Sequence, residues 1–378
     1  MKFLPEQGGG RESKMKDCVR LGSKELMALL GMAILPKLFF SLLPDAVAAA
    51  GSAVWYAQIG AWLISIGFVC LLTHLMSLYP GQDLMEIFQS ALGKFFGIIL
   101  GLLFYLYFVV YTADLLGEAV QLIKVYNFPR TPFLIFSAGF LFVAWLISRY
   151  GLYGVAQTAV LFLAPVLIAI AAALAIGSRQ YDFRMLFPVG GYQPLRTGIV
   201  VGAGVSVYVD LILVMMLIRH TGDLMLMKRS VLKGMLWCGG AILLCSVGYL
   251  MTFGYRSSQG KTVGLVEIVQ NVYFNQLFQR MESVFFLVMV MAATVGVCIW
   301  FYLTVFLYGR IFKIQEEREL MLPTLLMIFS LTTVSQLQTE GYGRAASYLF
   351  RYSGGALFVL CFFVWVVGVM RKKVLHHE

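Results

Sequence analysis

The sequence predicts an all-α protein that crosses a membrane many times, and three observations carry this. Of 378 residues, 60% are hydrophobic and only 13% charged, where soluble domains run near a quarter charged, and the mean hydropathy is +0.83. A window of about 19 residues, the length of helix that crosses a bilayer, finds ten apolar spans. Ten spans divide into two sets of five, and an odd number per set makes the second set start from the opposite side, which is the arithmetic of an inverted repeat.

In order, the spans fall at 25–46, 54–78, 95–123, 132–149, 154–177, 198–218, 231–254, 282–308, 321–338 and 347–370. The ninth is short and ends in polar SQLQTE, so a count of nine stays open beside ten. The expected organisation is an N-terminal tail at 1–24, a first five-helix repeat at 25–178, a loop at 179–197, a second repeat at 198–370 and a C-terminal tail at 371–378. The first 24 residues are polar and basic, with no apolar core or small-residue cleavage site. The first apolar run is therefore expected to stay as a span rather than leave with a signal peptide.

Two short amphipathic stretches lie between spans. DLMEIFQSAL puts Leu84, Ile87, Phe88, Ala91 and Leu92 on one helical face, and LVEIVQNVYFNQLF, before span 8, shows a similar mix. Each is expected along the bilayer surface or against the bundle. With the N-terminus inside, the cytoplasmic segments hold eighteen Lys and Arg against ten outside, so both termini are expected to be cytoplasmic. This bias accounts for the net charge of +10. No basic face is interleaved with stacking aromatics, so the lipid bilayer is an expected partner and nucleic acid is not.

In an inverted-repeat transporter the first helix of each half is interrupted near the midplane, which frees backbone groups to hold a substrate. Span 1 carries Pro36 about a dozen residues in, and span 6 opens GIVVGAGVSVYVD, with Gly202, Ala203 and Gly204 near its start. These places are the predicted interruptions, with Leu35, Pro36, Lys37 and Gly202 to Gly204 as substrate-binding candidates. Lys37 is roughly 18 Å of helix from the inner end of span 1 and about 10 Å from the outer end near Pro44. Outward snorkelling stays open. The favoured expectation turns Lys37 into a central cavity, where it attracts a ligand carboxylate or substitutes for a bound cation, with Asp210 or Glu118 as its acidic partner.

Ionisable residues inside spans are the remaining candidates. Asp114 and Glu118 sit four apart on one face of span 3, and Glu118 is a partner for Lys37, a proton carrier or a solvated interfacial group. Asp210, deep in span 6, is a coupling or ligand candidate. Tyr107 and Tyr111 share a face of span 3 as candidates for the wall of a central cavity, with plain packing as the alternative. The six cysteines are scattered, mostly inside apolar runs and never as C-x-x-C, so neither disulfides nor a metal are expected. There is no G-x-S-x-G elbow, H-E-x-x-H or Walker A loop, and neither catalysis nor a cofactor is expected.

Four blocks carry a family resemblance: YPGQDLMEIFQSALGKFFGIILG (79–101), LGEAVQLIKVYNFPRTP (116–132), LFPVGGYQP (186–194) and FQRMESVFFLVMVMAATVGVCIWFY (278–302). In order and across essentially the whole chain, they resemble the endospore germination permeases, the B subunits of nutrient germinant receptors. The resemblance implies a LeuT-like fold of the amino acid, polyamine and organocation transporter superfamily. It further implies a subunit that senses a small germinant, usually an amino acid, in the spore inner membrane beside an A subunit and a lipoprotein C subunit. Arg280 and Glu282, which open span 8 in an R-x-E pattern shared with that family, are expected to form a structural ion pair or cap. Several members carry a Gly-rich break in span 1 where this chain has AILPKLFF. A receptor that kept the transporter fold keeps its site, so a proton-coupled amino acid transporter stays open as the alternative function.

Overall fold

The chain was obtained as a computed structural model that describes residues 20–187, 194–258, 261, 264–270, 281–314, 316–337 and 341–375. Regular structure among them is helical throughout. The first helix, α1 (Ser23–Ile34), buries nearly every side chain from Leu26 onward. It ends where Pro36 lacks the N–H owed to the carbonyl of Met32 and crowds it with its ring. Five residues of 3-10 helix follow, Leu35–Phe39, and Phe40 then turns extended. The chain resumes in α2 (Leu42–Ala50) and α3 (Val54–Leu78). The carbonyl of Phe40, left without a helical partner, accepts from the Gly264 N–H at 3.0 Å. Any side chain at 264 would run into the Leu38 carbonyl, so only glycine allows this approach.

Helix α4 (Leu84–Leu92) starts at a capping box in which Asp83 Oδ1 accepts from the Glu86 N–H at 3.1 Å and Glu86 Oε2 from the Asp83 N–H at 3.2 Å. Its apolar face of Leu84, Met85, Ile87, Phe88 and Ala91 is buried. Of the two placements expected for this stretch, it lies against the bundle, on α5 (Lys94–Tyr126). Helices α6 (Phe133–Ser148) and α7 (Gly151–Gly177) follow.

The second interruption differs from expectation in its position. Helix α8 (Pro194–Val205) runs straight through Gly202 to Gly204. The break is the 3-10 stretch Ser206–Leu211, where Tyr208 has φ −98° and ψ 17°. That bridge conformation is open to any residue, so no glycine is needed to make it. Helix α9 (Ile212–Thr221) follows and closes on Gly222, left-handed at φ 71°. Then come α10 (Leu224–Ser258), kinked at Gly254, α11 (Leu265–Gln270), α12 (Met281–Phe312), α13 (Glu317–Leu337) and α14 (Gly341–Leu375).

Among the described residues, seven helical stretches are long and apolar enough to cross a membrane: Leu42–Leu78, Lys94–Tyr126, Gly151–Gln180, Val200–Thr221, Leu224–Ser258, Ser283–Phe312 and Ser353–Arg371. Phe133–Ser148 is apolar but shorter. Large apolar side chains point outward along them at seven-residue spacing, as with Phe96 and Leu103, Leu161 and Ile168, and Trp237 and Leu244. That stripe is what a helix presents to lipid, where an outward leucine has no water to avoid. The interior holds the aromatic residues Trp300, Tyr208, Tyr249, Phe39, Phe104 and Phe108, all buried.

Candidate functional site between two interrupted helices

The two 3-10 stretches meet at one carboxylate. Lys37, in the first, places Nζ 2.5 Å from Asp210 Oδ2 and 2.7 Å from the carbonyl oxygen of Val207, both in the second. Asp210 is 0% exposed and the Lys37 side chain 14%, so this is an ion pair inside the bundle. The other carboxylate oxygen, Oδ1, accepts from Trp300 Nε1 of α12 at 3.1 Å and from the Tyr111 hydroxyl of α5 at 3.5 Å. A buried charge is costly unless it is paired and its lone pairs are filled, and here both conditions hold.

An aromatic wall stands beside the pair. The Tyr111 and Trp300 rings lie 4.5 Å apart between centroids, and the Lys37 ammonium sits 5.5 Å from the Tyr111 centroid. Tyr107 stacks on Tyr111 at 5.8 Å, one helical turn away, and its hydroxyl is 3.2 Å from Ser353 Oγ on α14. The neighbouring Gly354 N–H donates to Ser206 Oγ at 2.9 Å. A side chain at Gly354 would strike the Ser206 backbone, so α14 rests directly on the start of the second interruption. Two further buried groups lack a hydrogen-bond partner among the described residues: the Tyr208 hydroxyl, on the second interruption itself, and Gln58 Oε1 of α3, which lies beside Gly204.

The structure thus brings Leu35, Pro36, Lys37, Tyr107, Tyr111 and Asp210 together and leaves the expected glycines at the edge. Gly202 is exposed, with open space where a side chain would go. A Cβ on Gly204 would lie 2.9 Å from that of Ala61, so its smallness serves the approach of α8 to α3. Of the two acidic partners expected for Lys37, Asp210 takes it. Glu118 instead accepts from Ser41 Oγ at 3.4 Å. Arg280 and the side chain of Glu282 lie outside the described residues, as does the end of the second amphipathic stretch beyond Gln270. Trp300, Ser353, Ser206, Tyr208 and Gln58 are the site residues that the sequence reading missed. A tryptophan N–H deep in an apolar span needs an acceptor, and that requirement is the one trace of Trp300's role in the sequence.

A second polar centre sits at the end of the bundle that carries α4. Arg219, at the end of α9, reaches both Glu86 oxygens at 2.6 Å and lies 3.8 Å from Asp83 Oδ2. Arg310, near the end of α12, stands 3.4 Å from that same Asp83 oxygen. Arg371 of α14 donates to the Ser90 carbonyl at 2.8 Å. Between the two centres lies a small, mainly apolar cavity whose lining includes Leu29, Leu152, Leu213, Ile299, Tyr302 and Leu303.

Two helices interrupted at a shared polar centre within an apolar helical bundle are an architecture that many secondary transporters share. Solved structures of LeuT-like transporters share this fold. One is Mhp1, a nucleobase-cation-symport-1 family transporter in a closed conformation with bromovinylhydantoin bound, with a TM-score of 0.62 at 12% identity, covering 95% of this chain and 93% of that one. Another is a Na+-coupled sialic acid symporter, substrate-bound and outward-open, with a TM-score of 0.67 at 10% identity, covering 92% and 79%.

Residues 25–340 match the family described as spore germination protein, and the chain belongs to that family. Spore germination protein KB of Bacillus subtilis (strain 168) is 23% identical over 354 residues, covering 91% of this chain and 94% of that protein. The putative spore germination protein YfkT of the same strain is 28% identical over 135 residues, 36% of this chain and 37% of its own. The chain is a multi-pass membrane protein of the germination permease family, and the relatives named here are described as germination and transport proteins.

Proposed function

We propose that this chain is the membrane-embedded B-type subunit of a nutrient germinant receptor, and that it binds a small nutrient, an amino acid, where its two interrupted helices meet. The observation that carries this reading is the convergence of Leu35–Phe39 and Ser206–Leu211 on Asp210 in a chain of the germination permease family. Interrupted helices offer free backbone groups at membrane depth, the usual means by which this architecture holds a polar solute. Tyr208 and Gln58 supply buried oxygens still able to bond a ligand, and Tyr107 and Tyr111 supply an aromatic wall. Leu35 and Pro36 contribute the backbone of the first interruption. In the stretch Gly202, Ala203 and Gly204, Gly204 is the thin point that seats α8 on α3, and Gly202 faces open space.

In this reading the chain crosses the spore inner membrane ten times as two inverted sets of five, with both termini cytoplasmic, and works beside A-type and C-type receptor subunits. Binding shifts the packing of the two interrupted helices, and the partners read that shift. The test is a sporulating host that lacks its own receptors and is given this gene with and without those partner genes. Germination on a defined amino acid only when all are present supports the reading. Concentrative uptake of the amino acid by the purified chain alone in liposomes overturns it.

That second outcome is the prediction of the other reading, a proton-coupled amino acid transporter. It is favoured by the likeness to symporters and by Asp114 and Glu118, two carboxylates one turn apart on α5, the second bonded to Ser41 just past the first interruption. In that reading Glu118 or Asp210 carries the proton.

A further inference from the structure

We propose that the Lys37 ammonium occupies an alkali-cation site, so that this protein carries its central cation on its own chain and needs neither Na+ nor K+ there. The groups around Nζ are those such an ion takes. They are a main-chain carbonyl exposed by an interrupted helix, Val207 at 2.7 Å, and a carboxylate oxygen, Asp210 Oδ2 at 2.5 Å. The face of Tyr111, 5.5 Å away, adds the negative side of a ring quadrupole.

The other role expected for Lys37, attracting a ligand carboxylate, fits the geometry less well. Its charge is already matched one for one by Asp210. That carboxylate is itself held in place by Trp300 and Tyr111, so a ligand anion would have to displace a partner that two other side chains fix. A tethered ammonium also makes the site independent of the ionic composition outside, because nothing has to be captured from solution. Removing the ammonium leaves a fully buried carboxylate, a carbonyl and the volume of a lysine head group. An unpaired buried carboxylate is strongly unfavourable, and a small cation entering that volume would relieve it.

This inference rests on the reading of the helix interruptions as the central site. Its test uses no nutrient, so it stands or falls separately from the germinant-receptor reading. The purified full-length chain, in detergent micelles, is unfolded by heat in NaCl, KCl or choline chloride at equal ionic strength. Wild type is expected to unfold at the same temperature in all three salts. Lys37→Ala is expected to unfold at a lower temperature in choline and to regain stability with each tenfold rise in Na+ or K+, since a ligand of the folded state stabilises it with the logarithm of its concentration. Lys37→Ala with Asp210→Asn, which has no charge to neutralise, should show no such rise.

Two results overturn the proposal. One is a wild type stabilised by Na+ or K+ over choline. The other is a Lys37→Ala protein indifferent to both ions, including one rescued only by acid, which would make a proton the occupant. Should Lys37→Ala not accumulate, Lys37→Ser is read in the same way, and the wild-type comparison stands without either variant.

Discussion

At the centre of the bundle one ammonium meets one carboxylate, 2.5 Å apart, and the carboxylate is wholly buried. At the α4 end two carboxylates share two guanidinium groups, with Arg219 36% and Glu86 38% exposed, and only Asp83 buried. The central pair has no redundancy: loss of either member leaves the other as an uncompensated charge far from water. The α4 cluster has it, because Asp83 keeps Arg310 when Arg219 is lost, and water screens what remains. Strength per contact and tolerance to change therefore run in opposite directions. The centre is rigidly specified, whereas the α4 end, where α4, α9, α12 and α14 come together, can be rearranged at small cost.

The largest expected effect tests the irreplaceable pair. Asp210→Asn should destabilise the protein by about 3–5 kcal/mol, since it strands a buried ammonium, and Lys37→Met added to it should recover most of that loss. Equal unfolding midpoints for the single and double variants would remove the charge argument. Next, Trp300→Phe keeps an aromatic ring but removes both the N–H that serves Asp210 and part of the buried indole volume, and should cost at least the roughly 1.5–3 kcal/mol of a hydrogen bond to a charged group in the same unfolding measurement. Asp83→Ala removes the α4 cap as well as the Arg310 contact and should cost about 1–2 kcal/mol.

Arg219→Gln, at the redundant end, should cost roughly 0–1 kcal/mol at low ionic strength. That difference from wild type should vanish in 1 M salt, where the Debye length is about 3 Å, while the Asp210→Asn deficit persists. A deficit at Arg219 that survives high salt would show that the two clusters do not differ in the way described. The smallest effect is expected at Gly202→Ala, close to zero in stability and in nutrient response, because the added methyl meets open space. A lost response there would restore Gly202 to the ligand site.

Much of the helical framework was readable because it depends on local composition: apolar runs become helices, and Pro36 stops one where its missing N–H dictates. The two interruptions were less equally legible. Proline marks the first in the sequence itself, whereas the second uses Ser206, Tyr208 and Asp210, none of which must break a helix. The glycines four to eight residues upstream of Tyr208 and Asp210 are the more conspicuous signal, although Gly204 serves packing against Ala61 and Gly202 faces open space. Lys37 and Asp210 were each conspicuous as charges in apolar surroundings, but their pairing spans 173 residues and follows only from how the two 3-10 stretches meet in the bundle. Ser353, Ser206 and Gln58 stayed hidden because a lone serine or glutamine in a membrane helix looks the same whether it bonds its own backbone or another helix.

Helix α5 has a consequence of another kind. Its 33 residues extend about 50 Å at 1.5 Å per residue, more than the roughly 40–45 Å of a bilayer with its head groups. A helix of that length leans or carries its ends out into the water layers, and packing against its neighbours decides which. Those neighbours are α4, α12 and α13, and the same rod carries Tyr107, Tyr111 and Glu118. A shift of α4 at its end of the bundle is thereby passed along one stiff element to the Tyr111 ring beside Trp300 and Asp210.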